Sequence, residues 1–294
     1  TDITNTANTY TSGALTTTTY FRAVIVNGAC TSFSDAAMIT VNLTSVGGTV
    51  SGGTTVCATS NSTTLTLSGS RGTIQWQSST DSTNFSDISG ATATTYTATS
   101  LTQKTFFRAV VTSGVCAPAN SSTATINVNA ASVGGTVAVT TSNPICTGAG
   151  NSVTFSLSGQ TGSVTKWQWS ASSDFSTTVT DVAGTSTTLT QTGLTASRYY
   201  RAVVTNGVCA AANSAGALIT VSPTSVAGTI TGATTVCSGT NSTTLTLGGN
   251  TGTIQWESST TSTTAGFTPI SGATASTYTA TNLTKSEEHT SELQ

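Results

Sequence analysis

Apolar and polar residues alternate along this chain in short runs. Thr64-Leu65-Thr66-Leu67 and Thr244-Leu245-Thr246-Leu247 alternate strictly, and Thr154-Phe155-Ser156-Leu157 does the same between them. A period of two puts the apolar residues on one face. The β-branched Thr residues on the other face favour extended backbone and hydrogen-bond water, so each run predicts a half-buried strand. Further strand runs within residues 44–130 are Thr49-Val50, Thr73 to Gln77, Phe85 to Ile88, Tyr96 to Ala98, Thr105 to Thr112 and Thr123 to Val128. Turn signals separate them, such as Gly69-Ser70-Arg71-Gly72 and Ser89-Gly90. No stretch carries a helical period. The pattern predicts an all-β fold with about seven strands per sandwich.

The same text recurs. Ser45-Val46-Gly47-Gly48 returns as Ser132-Val133-Gly134-Gly135 and as Ser225-Val226-Ala227-Gly228. Gln75-Trp76-Gln77 is matched with Gln168-Trp169-Ser170 and Gln255-Trp256-Glu257. Phe107-Arg108-Ala109-Val110-Val111 returns as Phe21-Arg22-Ala23-Val24-Ile25 and Tyr200-Arg201-Ala202-Val203-Val204. A period near ~90 residues is too long for a solenoid unit and suits a small domain. The expected organisation is tandem immunoglobulin-like β-sandwich domains, incomplete at both ends. It comprises the C-terminal part of a repeat (1–43), complete repeats (44–130 and 131–222), a truncated repeat (223–286) and a non-native tail (287–294).

A Trp on the third strand is what an immunoglobulin-like sandwich buries at its centre, so Trp76, Trp169 and Trp256 are expected in the cores. A sugar-stacking platform is the alternative, but recurrence at one register favours the core. Ser113-Gly114 matches Asn27-Gly28 and Asn206-Gly207, and predicts a type I′ hairpin centred on each pair. The in-register Arg22, Arg108 and Arg201 read as strand-face residues stacked over Thr or an aromatic.

Each complete copy carries one early and one late cysteine, Cys57 with Cys116 and Cys146 with Cys209, while Cys30 and Cys237 are single halves. Disulfides fit an oxidising compartment. The favoured pairs are Cys57–Cys116 and Cys146–Cys209, although the two cysteines of one copy sit near opposite ends of a standard sandwich. The rival register is Cys30–Cys57, Cys116–Cys146 and Cys209–Cys237.

Composition then removes whole classes of function. Only 6% of residues are charged, against ~25% usually. The chain has no basic cluster for nucleic acid. Its apolar stretches, such as Ala23-Val24-Ile25-Val26, are far shorter than the ~20 residues of a spanning helix. The acids Asp2, Asp35, Asp81, Asp87, Asp174, Asp181 and Glu257 do not recur as a set, and no Ser has an evident base. No catalytic, cofactor-binding or metal-binding residues are assigned, and no cofactor is expected. The Gly-x-x-Gly turns lack the following helix that a phosphate cradle needs. Asn61-Ser62-Thr63 and Asn241-Ser242-Thr243 match the N-glycosylation triplet, which a Thr/Ser-rich chain produces by chance. Asp81-Ser82-Thr83 matches a short O-glycosylation signal.

Two resemblances close this reading. The combined pattern of Val-Cys-x-x-x-Asn-Ser-Thr-Thr-Leu-Thr-Leu, Ile-Gln-Trp, aromatic-aromatic-Arg-Ala-Val-Val and Gly-Val-Cys resembles the Ig-like repeats of large secreted, adhesin-like proteins of Bacteroidota. That resemblance implies an extracellular or cell-surface spacer or adhesive stalk. Its partners would be surface glycans or other cell-surface proteins, with no nucleic acid and no membrane insertion. The alternative is a set of glycan-binding or accessory modules of a secreted hydrolase. The tail Ser286 to Gln294 resembles the in-frame translation of a common sequencing adapter. It holds His289, the only histidine, and three of the four glutamates. Without residues 287–294 the acid count falls from 10 to 7, against 8 Lys plus Arg.

Overall fold

The computed structural model describes residues 3–284. The 287–294 tail and His289 lie outside the described residues. Among the described residues there are strands and turns and no helix. The chain divides into two compact units. One comprises Thr1–Gly135, Gly159–Thr165 and Val203–Ser214; the other comprises Thr136–Ser158, Lys166–Ala202 and Ala215–Gln294.

In the first unit, residues 49–129 form a two-sheet sandwich. One sheet orders Thr95–Thr99, Ser62–Ser68 and Thr49–Ser51. The other orders Thr55–Cys57, Ala124–Asn129, Thr105–Thr112, Thr73–Ser79 and Ser86–Asp87. Pairing is antiparallel except for Thr55–Cys57, which runs parallel to Ala124–Asn129. The alternating pattern does what its period requires. Every second residue from Thr105 to Val111 is buried, and Leu65 and Leu67 meet Trp76, Phe107, Val111 and Ile126 in one core. Trp76 is fully buried, and its indole N–H donates to the Ala93 carbonyl at 2.8 Å, so its one polar atom is satisfied.

The strand order recurs in the next copy. Thr136–Val139, Ser152–Ser158 and Thr188–Thr192 form one sheet; Thr180–Val182, Ser163–Ser170, Arg198–Thr205 and Ala212–Asn213 form the other. Ile145–Cys146 runs parallel to Val221–Ser222. The aromatic is exchanged across one strand pair. Leu65 faces Tyr96 and Leu245 faces Tyr278, whereas here Phe155 faces Leu189. Phe155 then packs on Tyr200 at 4.5 Å between ring centroids. The swap keeps the volume of the pair while reversing its order, the kind of change a packed core tolerates.

One register expectation is corrected. Trp169 is not the core tryptophan of this copy; Trp167 is. Trp167 is fully buried and donates to the Ser186 carbonyl, as Trp76 donates to Ala93 and Trp256 to Ala275. Trp169 lies two residues on, half-buried beneath the Arg198 guanidinium, 3.8 Å from the ring centroid. Both point to the same side of the strand, so alternation cannot tell them apart. The partner strands decide.

The expected type I′ turn is also corrected. The turns are Asn27–Cys30, Ser113–Cys116 and Asn206–Cys209, with the first residue outside the bend. Only the glycine is left-handed, at φ +63°, +55° and +55°. Positive φ at the first central residue alone is where a type II′ turn places it.

In the second unit, residues 229–281 keep one complete three-stranded sheet, Thr229–Thr231, Ser242–Gly248 and Thr277–Thr281. Trp256 remains buried, but Leu245 and Leu247 are only partly covered. In residues 3–43 every residue of the strand Val24–Asn27 is exposed.

Candidate functional site

The features that recur in three dimensions are structural fittings at the two ends of each repeat. At one end, the early cysteine is held by an asparagine. The Asn61 amide donates to the carbonyls of Cys57 (2.9 Å) and Leu101 (2.8 Å), and its oxygen accepts from the Leu101 amide. Asn151 makes the same three bonds with Cys146 and Leu194, and Asn241 with Cys237 and Leu283. Both amide hydrogens of Asn61 and Asn241 are therefore used inside the fold, which accounts for these residues without a glycan. Asn151 is followed by Ser152-Val153, which is not a glycosylation triplet, yet it does the same work. The sequence signal that could have revealed this clamp was an Asn before the first alternating run in all three copies.

At the other end sits the late cysteine, in the glycine turn. Cys116 Sγ lies 3.6 and 3.4 Å from the carbonyl oxygens of Asn42 and Leu43. Cys209 Sγ lies 3.6 and 3.2 Å from those of Asn129 and Ala130. The turn is tied down by its own linker: the Ser45 hydroxyl accepts from the Ser113 amide, and the Ser132 hydroxyl from the Asn206 amide, each at 2.9 Å. The Ser-Val-Gly-Gly motif is thereby explained. Its Ser caps the turn. Its first Gly is pressed against backbone, because a Cβ on Gly47 or Gly134 would sit 2.0 Å from the carbonyl oxygen of Asn120 or Asn213.

Cys57 and Cys209 form a disulfide, with Cα atoms 5.0 Å apart, inside the usual range for a bridge. This overturns the pairs Cys57–Cys116 and Cys146–Cys209, and the rival register as well; Cys30, Cys116, Cys146 and Cys237 are free thiols. The reason is geometric. Cys57 pairs with Asn129, where its repeat ends, whereas Cys116 abuts Asn42 and Leu43, where that repeat begins. An early and a late cysteine of one repeat thus face opposite ends.

The recurrent arginine forms a cassette on the strand face. Arg108 stacks over Phe85 with its guanidinium 4.0 Å from the ring centroid, and its Nε donates to Gln77 Oε1 at 2.9 Å. Arg201 repeats this with Phe175 (4.1 Å) and Gln168 (2.9 Å). Arg22 stacks over Phe33 at 4.0 Å. These are cation–π stacks on the outward faces of strands, and they use the one recurrent charge for packing.

The acids are spent locally. The Asp81 carboxylate accepts from the Asn84 amide and side chain, the Thr83 amide and the Ser79 hydroxyl, which together hold it well below the ordinary carboxylate range. Asp174 is held at about 2 by the Ser172 hydroxyl and the Ser176 amide. Asp181 is lowered by the Lys166 ammonium, at 2.8 Å, and by Gln168. None of the three faces a second carboxylate, and among the described residues no three of His, Cys, Asp and Glu converge as metal ligands. Two hollows, of about 310 and 260 Å³, lie against residues 270–279 and against Val236, Ser238, Leu283 and Thr284; neither is lined by a charged side chain.

Among solved structures, the chain is similar to the chicken CNTN1 FN1–FN3 domains, at 14% identity and a TM-score of 0.29, over 81% of this chain and 88% of that one. It is similar also to a mouse coronavirus receptor-binding domain complexed with its murine receptor, at 14% identity and a TM-score of 0.37, over 58% and 96%. No curated protein matches the chain. One family model matches four successive segments, residues 1–43, 46–130, 133–223 and 226–289. The chain therefore belongs to the repeat family described as a domain of unknown function, DUF8696.

Proposed function

We propose that this chain is a non-catalytic structural or adhesive segment of a large extracellular or cell-surface protein, acting as a spacer or stalk. Its units are the end of one repeat (1–43), two whole repeats (44–130 and 131–222) and a truncated one (223–286). The observation that carries the reading is the Cys57–Cys209 bridge, which joins consecutive repeats across the linker at Asn129 and Ala130. A covalent strap at a joint resists extension and needs an oxidising compartment. The polar groups that recur from copy to copy, the Asn clamp, the capping Ser and the Arg stack, are engaged within the fold rather than presented to a ligand. The resemblance to Bacteroidota repeats supports the same setting, and the adapter-like tail from Ser286 is read as foreign to the repeat.

A glycan array probed with the full chain tests this reading. A spacer gives no saturable binding. Saturable binding that tracks one repeat would replace it with the glycan-binding alternative.

A further inference from the structure

We propose that the cysteines form a next-neighbour relay: the early cysteine of each repeat is oxidised onto the late cysteine of the repeat that follows. Cys57–Cys209 is one link. Cys146 is then the early half of the next, and Cys116 the late half of the one before.

Each free half already occupies the place that its bonded counterpart occupies. On the early side, Cys57 pairs with Asn129 in a parallel ladder and the Ala58 amide donates to the Asn129 carbonyl at 2.9 Å. Cys146 pairs with Ser222 in the same parallel sense, and the Thr147 amide donates to the Ser222 carbonyl at 2.8 Å. Asn61 and Asn151 clamp the two cysteine carbonyls alike. Cys146 is thus a thiol set against the last strand of its repeat, exposed at the linker to the next.

On the late side, the Cys116 and Cys209 amides both donate 3.0 Å to the residue three before, closing the same glycine turn. Both sulfurs rest on the two carbonyls of the preceding linker, and both glycines pack on the linker asparagine: a Cβ on Gly114 would meet Asn42 and one on Gly207 would meet Asn129. No early cysteine precedes the Asn42-Leu43 linker within residues 1–43, whereas Cys57 lies beside the linker at Asn129. Residues 1–43 hold only a late cysteine, Cys30, and residues 223–294 only an early one, Cys237. Under the relay rule no two of the four free thiols are partners, which is the observed pattern.

Each link forms by thiol–disulfide exchange with an oxidised dithiol carrier or glutathione disulfide. Two S–H bonds break and one S–S bond forms. The carrier S–S bond breaks, and the two electrons and two protons end on its sulfurs, which leave as two thiols.

The test replaces residues 286–294 with a copy of residues 104–130, which supplies a late cysteine in register because Lys285 aligns with Gln103. The chain is oxidised in a glutathione redox buffer, alkylated, and mapped without reduction. The expected result is two bridges, Cys57–Cys209 and Cys146 to the added cysteine, with Cys30, Cys116 and Cys237 alkylated. Alkylated Cys146, or a bridge from the added cysteine to Cys237, overturns the relay. A second variant, C209S in the natural chain, needs no graft. There Cys57, Cys116 and Cys146 should all alkylate, and a Cys57–Cys116 bridge would contradict the end-to-end placement on which the relay rests.

Discussion

Two stretches of this chain carry nearly the same words and meet opposite fates. Phe107-Arg108-Ala109-Val110-Val111 is the central strand of a sandwich, and Val111 is fully buried. Phe21-Arg22-Ala23-Val24-Ile25 has the same spacing, yet Ile25 is 59% exposed. The strand at Thr105–Thr112 is flanked by Thr73–Ser79 and Ala124–Asn129, and it faces Leu65 and Leu67 from the other sheet. Residues 1–43 contain no counterpart of Thr73–Ser79 or Ser62–Ser68. Alternation therefore specifies a strand and its two faces. Burial comes only from partners distant in sequence, and those partners decide whether an apolar residue stabilises anything.

The largest effect should come from truncating the buried member of this pair. Phe107→Ala should destabilise its repeat by about 3–5 kcal/mol, whereas Ile25→Ala should cost under about 0.5 kcal/mol. Denaturant unfolding followed at Trp76 checks both. Next comes the motif glycine. Gly47→Ala places a Cβ against the Asn120 backbone and should cost about 1–3 kcal/mol. The last copy carries Ala227 at this position. Smaller still is the stack: Arg108→Ala should lose about 1 kcal/mol of cation–π and hydrogen-bond stabilisation, measured in the same way.

The smallest effect concerns acid. Asp174 is held at about 2 in the folded chain against an ordinary 3.8. A carboxylate depressed by folding stabilises above its unfolded value, and that stabilisation drains as pH falls toward the folded one. The unfolding midpoint should therefore fall between about pH 4 and 2, and Asp174→Asn should flatten that part of the curve. The matching loop of the last copy, Thr261 to Thr264, has no acid and should show no such slope.

Much of this was legible in the alternating Thr/apolar text, because a period of two leaves no other regular structure. Domain-scale recurrence was legible for the same reason. What the text hid was register between strands. Trp167 and Trp169 share a face, so only the indole bond to Ser186 and the stacking of Arg198 distinguish core from rim. The disulfide was hidden because the two cysteines of one repeat, which the sequence suggests as a pair, face opposite ends. The Asn clamp was hidden behind a glycosylation triplet. The Arg stack was half visible: its recurrence showed, but its partners Phe85 and Phe175 lie in loops of unequal length.

Native-state hydrogen exchange on the full chain, read by peptide, tests the comparison most directly. Amides of Thr105–Thr112 should exchange only through opening of the whole sandwich, while those of Val24–Asn27 should exchange within seconds. Equal protection of the two stretches would mean that the strand text alone secures the fold, and would contradict the dependence on distant partners.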